Sequence, residues 1–311
     1  MIASKYMKIL SILFLISIIF VSCGLTDDIT KKDSPTTGKI NLFYDEGLTL
    51  HINNQISTFK TTYTYAEINL VSTDEKACIE ALFNDSAKVI AISRLLSEEE
   101  IGKFKQKNIS VNTSLVAKDA IAIIVNKNFG DSSISINQLK QLLSGNDSLY
   151  VKGNHLNVVF DNQNSGSIRQ LKDSLLEKTN FGKNCSAVKT TPELIKSISQ
   201  NTLSIGICDF SWFSDKDDIT TKEFLKTVKI LAVSKKDFET AYMPDQSNIA
   251  TNDYPLLRNI CIIRRSSEFT LGKGVETFIA GPVGQMMFLK QGLPPHRQEE
   301  RLIEVDLSPL K

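Results

Sequence analysis

The chain has 311 residues, with 36 lysines and arginines against 35 aspartates and glutamates, for a formal net charge of +1. That balance offers no basic surface to the phosphate backbone of a nucleic acid, so no nucleic-acid partner is expected. His51, His155, His296 and the five cysteines show no Cys-x-x-Cys or His-x-x-x-His spacing, so neither a metal site nor a cofactor is expected.

In chain order the first feature is an export signal. Lys5 and Lys8 precede an apolar-plus-serine run over residues 9–21, followed at once by Ser22, Cys23 and Gly24. This is a charged region, an apolar core and a cleavage box. The run of 13 residues falls short of the roughly 20 that a helix needs to cross a bilayer. Residues 1–22 therefore read as a lipoprotein signal peptide, and Cys23 as the residue that carries acyl chains and holds the protein to a membrane through lipid alone. Residues 23–38 are almost without large apolar side chains and read as a flexible tether. The expected location is the cell envelope, facing the periplasm or the cell surface.

From Lys39 onward, strand-length apolar runs alternate with helical patterns, with Ser, Thr, Asp or Gly at the junctions, which predicts an α/β fold. Residues 40–44 read as a strand, and after Asp45-Glu46-Gly47 the residues Leu48, Ile52, Ile56 and Phe59 share one helical face. A second unit runs from a strand at 66–71 through Ser72-Thr73-Asp74 into a helix at 75–83. A third begins with a strand at 88–93, followed by Arg94. Ser97 and Glu100 form a capping box for a helix at 98–107. Residues 119–126 read as a continuous apolar strand and 134–143 as a helix. A strand at 156–160 then leads through 161–167 into a helix at 168–178. Further strands are expected at 203–208, 228–233 and 259–263, the last helices within 274–291, and an edge strand or docking segment at 302–307. Cys78, Cys185, Cys208 and Cys261 sit mostly in apolar settings and read as free thiols. Phe210, Trp212 and Phe213 read as core or turn packing, with the mouth of a ligand cleft as the alternative.

The segment Asp161-Asn162-Gln163-Asn164-Ser165-Gly166-Ser167-Ile168-Arg169 carries the most chemistry. A helix start presents unpaired N–H groups and the positive end of its dipole, so an oxyanion at Gly166 and Ser167 would be held without net protein charge. The hydroxyls of Ser165 and Ser167 add donors. A charge-assisted hydrogen bond contributes roughly 1.5–3 kcal/mol, whereas micromolar binding takes about 8, so several loops must converge. Parallel strands bring the loops after their carboxyl ends to one rim, which makes Gly47, Ser72, Thr73, Ser93 and Arg94 candidates beside Ser165 to Arg169. Arg94 and Arg169 are the cations at these junctions and can each pair bidentately with an oxyanion. Asp45 and Glu46 oppose such a ligand unless protonated. The plain reading of each Ser, Thr or Gly, taken alone, is a helix cap.

Further patterns are Ala91-Ile92-Ser93-Arg94-Leu95-Leu96-Ser97-Glu98-Glu99, Ala117-Lys118-Asp119-Ala120-Ile121-Ala122 with Val125-Asn126, Ile205-Gly206-Ile207, Tyr254-Pro255-Leu256, and Gly284-Gln285 with Gly292-Leu293-Pro294. In order and spacing, together with Asp45-Glu46-Gly47 and Ser165-Gly166-Ser167, these resemble the phosphate-type periplasmic substrate-binding proteins of ABC transporters, particularly the lipoprotein branch found in Bacteroidetes. The resemblance covers most of the mature chain. It implies the type II periplasmic-binding-protein-like α/β fold, with a ligand cleft between two lobes joined by crossing strands. Residues 39–117 and 253–311 would form one lobe and 118–252 the other. By position it implies ligand contacts at Gly47 and Leu48, at Ser72 or Thr73, at Ser93, and at Ser165, Gly166 and Ser167. The sequence departs from the family's phosphate pattern at three places: at Gly47, where the family carries a serine or threonine nearby, at Ser93 in place of an aspartate, and at Asp161 in place of an arginine.

The expected function is capture of a small oxyanion, phosphate first, for delivery to an ABC transporter permease, without catalysis. The alternative is a repurposed paralogue with a cell-surface, sensory or adhesion role and no tight phosphate site. A hydrolase with Ser165 as nucleophile is the weakest reading, because the Gly-x-Ser-x-Gly elbow and a paired histidine are missing from the pattern.

Overall fold

The computed structural model describes residues 33–146, 150–151, 154–265 and 269–297. The signal peptide, Cys23, the start of the tether and the 302–307 run lie outside the described residues.

The first third of the fold comprises β1 (Gly38–Asp45), a 3-10 turn (Glu46–Leu48), α1 (Thr49–Thr62), β2 (Ala66–Thr73), α2 (Glu75–Phe83), β3 (Val89–Ile92) and α3 (Glu98–Gln106). The long β4 (Val111–Asn126) follows, then β5 (Ser133–Ser135), α4 (Ile136–Leu143), β6 (Tyr150–Val151), β7 (Asn154–His155) and β8 (Asn157–Phe160). Next come α5 (Gly166–Ser174), β9 (Cys185–Ala187), α6 (Thr191–Gln200), β10 (Ser204–Asp209), α7 (Ser211–Ser214) and α8 (Ile219–Thr227). The chain continues with β11 (Val228–Ile230), β12 (Ala232–Ser234), β13 (Ala241–Tyr242), α9 (Gln246–Ala250), β14 (Leu257–Arg265), α10 (Leu271–Ala280) and α11 (Pro282–Lys290).

Local chemistry explains the early elements. Leu48, Ile52, Ile56 and Phe59 are buried together on one face of α1, as their spacing predicts. Asp74 caps α2 by accepting from the Ala77 N–H at 2.9 Å, and Ser97 and Glu100 form the expected capping box of α3.

One sheet runs in the order β2-β1-β3-β14-β4-β10-β8-β9, with β11 also paired to β4. β1 is parallel to β2 and β3, and β8 is parallel to β10 and β9. β4 joins the two halves. Its first part, Val111 to Ala120, pairs antiparallel with β14, and Ile121 to Val125 pair antiparallel with β10. The result is a mixed α/β fold of two lobes, β1 to β3 in the first and β8 to β10 in the second, with β4 crossing between them and β14 lying between β3 and the first part of β4. Parallel strands aim the loops after β1, β2, β3 and β8 at the line between the lobes.

The structure differs from the sequence reading in several elements. β4 starts at Val111, earlier than the apolar run at 119–126, because Asn112 and Ser114 both donate to the Glu276 carboxylate and so lie in a strand without orphaned groups. The run at 228–233 divides at Leu231, with β11 on β4 and β12 between β5 and β13. The helix expected at 168–178 covers Gly166–Ser174 instead, and Glu177 and Lys178 turn the chain with positive φ. Asp33, within the stretch read as a tether, accepts from the Leu271 N–H at 3.2 Å, so this end of the stretch lies on the start of α10. Cys78, Cys208 and Cys261 are buried free thiols, and Cys185 is free and half-buried.

Candidate ligand-binding cleft

The four strand-to-helix junctions meet where α5 begins. A Cβ built on Gly166 would lie 2.8 Å from Glu75 Oε2, 3.5 Å from Asp45 Oδ2 and 3.6 Å from Arg258 Nη1. Asp45 ends β1, Glu75 opens α2 after β2, and Gly166 opens α5 after β8, so both lobes contribute to one buried point. Arg94, after β3, reaches it through Glu75, whose Oε1 accepts from Arg94 Nε at 2.6 Å and from Arg169 Nε at 2.9 Å. Arg94 also donates twice to the Glu100 carboxylate, at 2.6 and 2.8 Å. Both junction cations thus have carboxylate partners within the protein.

The buried cation of the cleft is Arg258, at the start of β14. Its Nη2 lies 2.7 Å from Asp119 Oδ2 and 2.8 Å from Asp209 Oδ2, and its Nη1 donates to Ser167 Oγ at 3.1 Å. Ser167 in turn donates to Asp209 Oδ1 at 2.6 Å. The Asp209 carboxylate, from the end of β10, lies against Gly47 of the first lobe, where a Cβ would come within 1.6 Å of Oδ2. Two further bonds join the lobes beside it. The Glu46 carboxylate accepts from the N–H and hydroxyl of Thr191 at the start of α6, at 3.3 and 2.9 Å, and Ser211 Oγ donates to the Gly47 carbonyl at 2.5 Å. Glu75 and Glu46 therefore face the N-termini of second-lobe helices α5 and α6, where an anion is favoured.

Acidic groups crowd this cleft. Burial pushes Asp45 and Asp161 well above the usual carboxylate range, and Asp209 close by reinforces the effect on each. Burial likewise raises Glu46 to about 7 and Asp119 to about 6. Asp45 Oδ2, Ser93 Oγ, Asp119 Oδ1, Asp161 Oδ1 and Arg258 Nε are buried without a hydrogen-bond partner among the described residues. For the three carboxylates, protonation lowers the cost of such burial, in line with their raised pKa values. Among the described residues no group of three or more His, Cys, Asp or Glu is arranged to hold a metal ion, and no helix is long and apolar enough to cross a membrane.

A family profile for the PBP superfamily domain matches residues 43–282, which takes in both lobes and every junction of the cleft. The chain belongs to the PBP superfamily. The phosphate-binding protein PstS of Staphylococcus aureus (strain USA300) is 26% identical over 195 residues, 60% of this chain and 56% of its own length. This chain thus spans little more than half of that relative. A Clostridium perfringens structure, described as a phosphate ABC transporter substrate-binding protein with bound phosphate, superposes with a TM-score of 0.69 at 17% identity, over 84% of this chain and 100% of its own. An ABC-type phosphate transport receptor from Vibrio cholerae gives 0.62 at 16% identity, over 83% and 100%.

Of the residues expected to touch a ligand, Gly47, Leu48, Ser93, Ser165, Gly166 and Ser167 are buried, Thr73 is half-buried and Ser72 is exposed. Gly47, Gly166 and Ser167 face each other through Asp209 and Arg258. Ser165 caps α5, its Oγ accepting from the Ile168 N–H at 3.3 Å. Arg258, Asp209, Asp119, Glu75 and Thr191 are the cleft residues that the junction pattern did not mark. Phe210, Trp212 and Phe213 are buried, with Phe224 against the last two.

Proposed function

We propose that the protein is an exported solute-binding lipoprotein that captures a small oxyanion, phosphate first, between its lobes and delivers it to an ABC transporter permease. The observation that carries this reading is the setting of Asp209. A carboxylate is itself an oxyanion, and the groups that hold it, the Ser167 hydroxyl and the Arg258 guanidinium at a junction of both lobes, are the donors an oxyanion ligand requires. Relatives and structural neighbours named for phosphate make phosphate the first ligand to test. The signal peptide at 1–22, acylation at Cys23, a location at the cell envelope and the lobe division at 117/118 and 252/253 belong to the same proposal. Binding works through closure: a ligand touching both lobes shifts the hinge equilibrium by its differential affinity for the closed state, and no catalysis is involved. The hinge lies in β4 near residues 116–119 and ahead of β14 at 252–257.

A second reading, a cell-surface, sensory or adhesion protein without tight phosphate binding, is favoured by the acidic wall of Asp45, Asp161 and Glu75. Thermal unfolding with phosphate and with sulfate separates the two. Phosphate at a hundredfold excess over Kd stabilises by about 2.7 kcal/mol under the transport reading. No shift with either ion would leave the second reading.

A further inference from the structure

Outside the inner cradle, the same lobe interface encloses a cavity of about 530 Å³, far larger than a bare oxyanion fills and within the size range of small organic ligand sites. Its floor is apolar: Ile79 and Phe83 on α2 and Phe104 on α3 from the first lobe face Ile168 on α5 from the second. Its inner end is polar and shared with the cleft, at Glu75, Arg94, Ser165 and Arg169. The lining carries Lys76, Arg94, Lys103, Arg169 and Lys172 against Glu75, Glu80 and Glu100, with Glu99 and Asp173 paired to Lys103 and Arg169 beside it. Arg169 lines the cavity with a side chain 38% exposed, bonded to Glu75 and 3.7 Å from Asp173.

We propose that the ligand is an oxyanion bearing a compact apolar group, a small organic phosphate or phosphonate, with its charged end at Arg169 and Ser165 and its apolar body on Ile79, Phe83, Phe104 and Ile168. This rests on the oxyanion reading above and narrows it. The inner cradle already holds the chain's own Asp209 and Glu75 carboxylates, whereas the outer cavity offers apolar surface from both lobes, so that an organic group adds to closure what a bare ion does not.

The test is calorimetric titration of the purified protein with inorganic phosphate and with phenylphosphonate, repeated on Ile168→Asn after its fold is checked by circular dichroism. Phenylphosphonate should bind about tenfold tighter than phosphate or better, and Ile168→Asn should close most of that gap. Phosphate binding equal to or tighter than phenylphosphonate overturns the proposal and leaves the oxyanion reading standing. Silence towards both overturns both. A gap that Ile168→Asn leaves unchanged removes the apolar floor from the explanation and overturns the assignment of the cavity.

Discussion

The Asp209 carboxylate occupies the space that a side chain on Gly47 would need, with Oδ2 1.6 Å from the ideal Cβ position. Asp209 cannot swing away cheaply, because Ser167 and Arg258 both hold it. Gly47→Ala should therefore force the lobes apart or cost the carboxylate its partners, by about 1–3 kcal/mol. The urea midpoint of the variant against wild type reads this directly, and an unchanged midpoint would show that the two lobes do not meet there.

Arg258 lies between Asp119 and Asp209 with its side chain fully buried. Burial alone disfavours its charge, but the two carboxylates more than compensate and raise its pKa. Arg258→Met leaves two buried carboxylates without their cation and should destabilise by about 3–5 kcal/mol. Adding Asp209→Asn in the same chain should recover part of that loss, and chemical denaturation of the pair forms the double-mutant cycle.

The acidic cleft sets a pH dependence. Glu46, near 7, and Asp119, near 6, are raised mainly by burial, and Asp45 and Asp161 move the same way. Each binds its proton more tightly in the folded state. Their contribution is full below the ordinary carboxylate range and is lost as pH rises through about 6 to 7. His51 works oppositely: burial lowers it to about 4, so its contribution is lost as pH falls from 6.5 towards 4. Stability should therefore rise as pH falls from about 7 towards the ordinary carboxylate range, by on the order of 2 kcal/mol, with His51 offsetting part of the gain below 6.5. Glu46→Gln should reduce the slope, and guanidinium unfolding across that range measures it.

Glu75 holds both Arg94 and Arg169 and faces the N-terminus of α5. Removing its charge frees the Nε donors of both guanidiniums, while Arg94 stays on Glu100 and Arg169 beside Asp173. Glu75→Gln should raise oxyanion affinity about tenfold, the worth of roughly one pKa unit of charge interaction. Weaker binding in the variant would mean that Glu75 positions the arginines for the ligand and does not compete with it.

Much of the fold was legible because local patterns and tertiary packing agree. The face Leu48, Ile52, Ile56 and Phe59, the Ser97 to Glu100 capping box and the apolar Ile121 to Val125 each appear where their spacing puts them. The meeting of Gly47, Gly166 and Ser167 was legible for the same reason, since loops after parallel strands share a rim. The partners were not. Arg258 meets Ser167 across 91 residues of sequence, and within Leu256-Leu257-Arg258-Asn259-Ile260 it reads as an ordinary strand position. Glu75 reads as the first residue of a helix, and only the closure of the second lobe gives it Arg169. The polar start of β4 was missed because Glu276, which satisfies Asn112 and Ser114, lies over 160 residues away.

The most direct test of the account is calorimetric titration of the purified protein with phosphate and sulfate while Trp212 emission is followed. Trp212 lies in α7 between Ser211, which donates to the Gly47 carbonyl, and Ser214, which is bonded to His51, so its emission reports the contact between the lobes. The account predicts phosphate binding in the micromolar range or tighter, about 8 kcal/mol or more, with a change in emission. Neither heat nor emission change with either ion would contradict it.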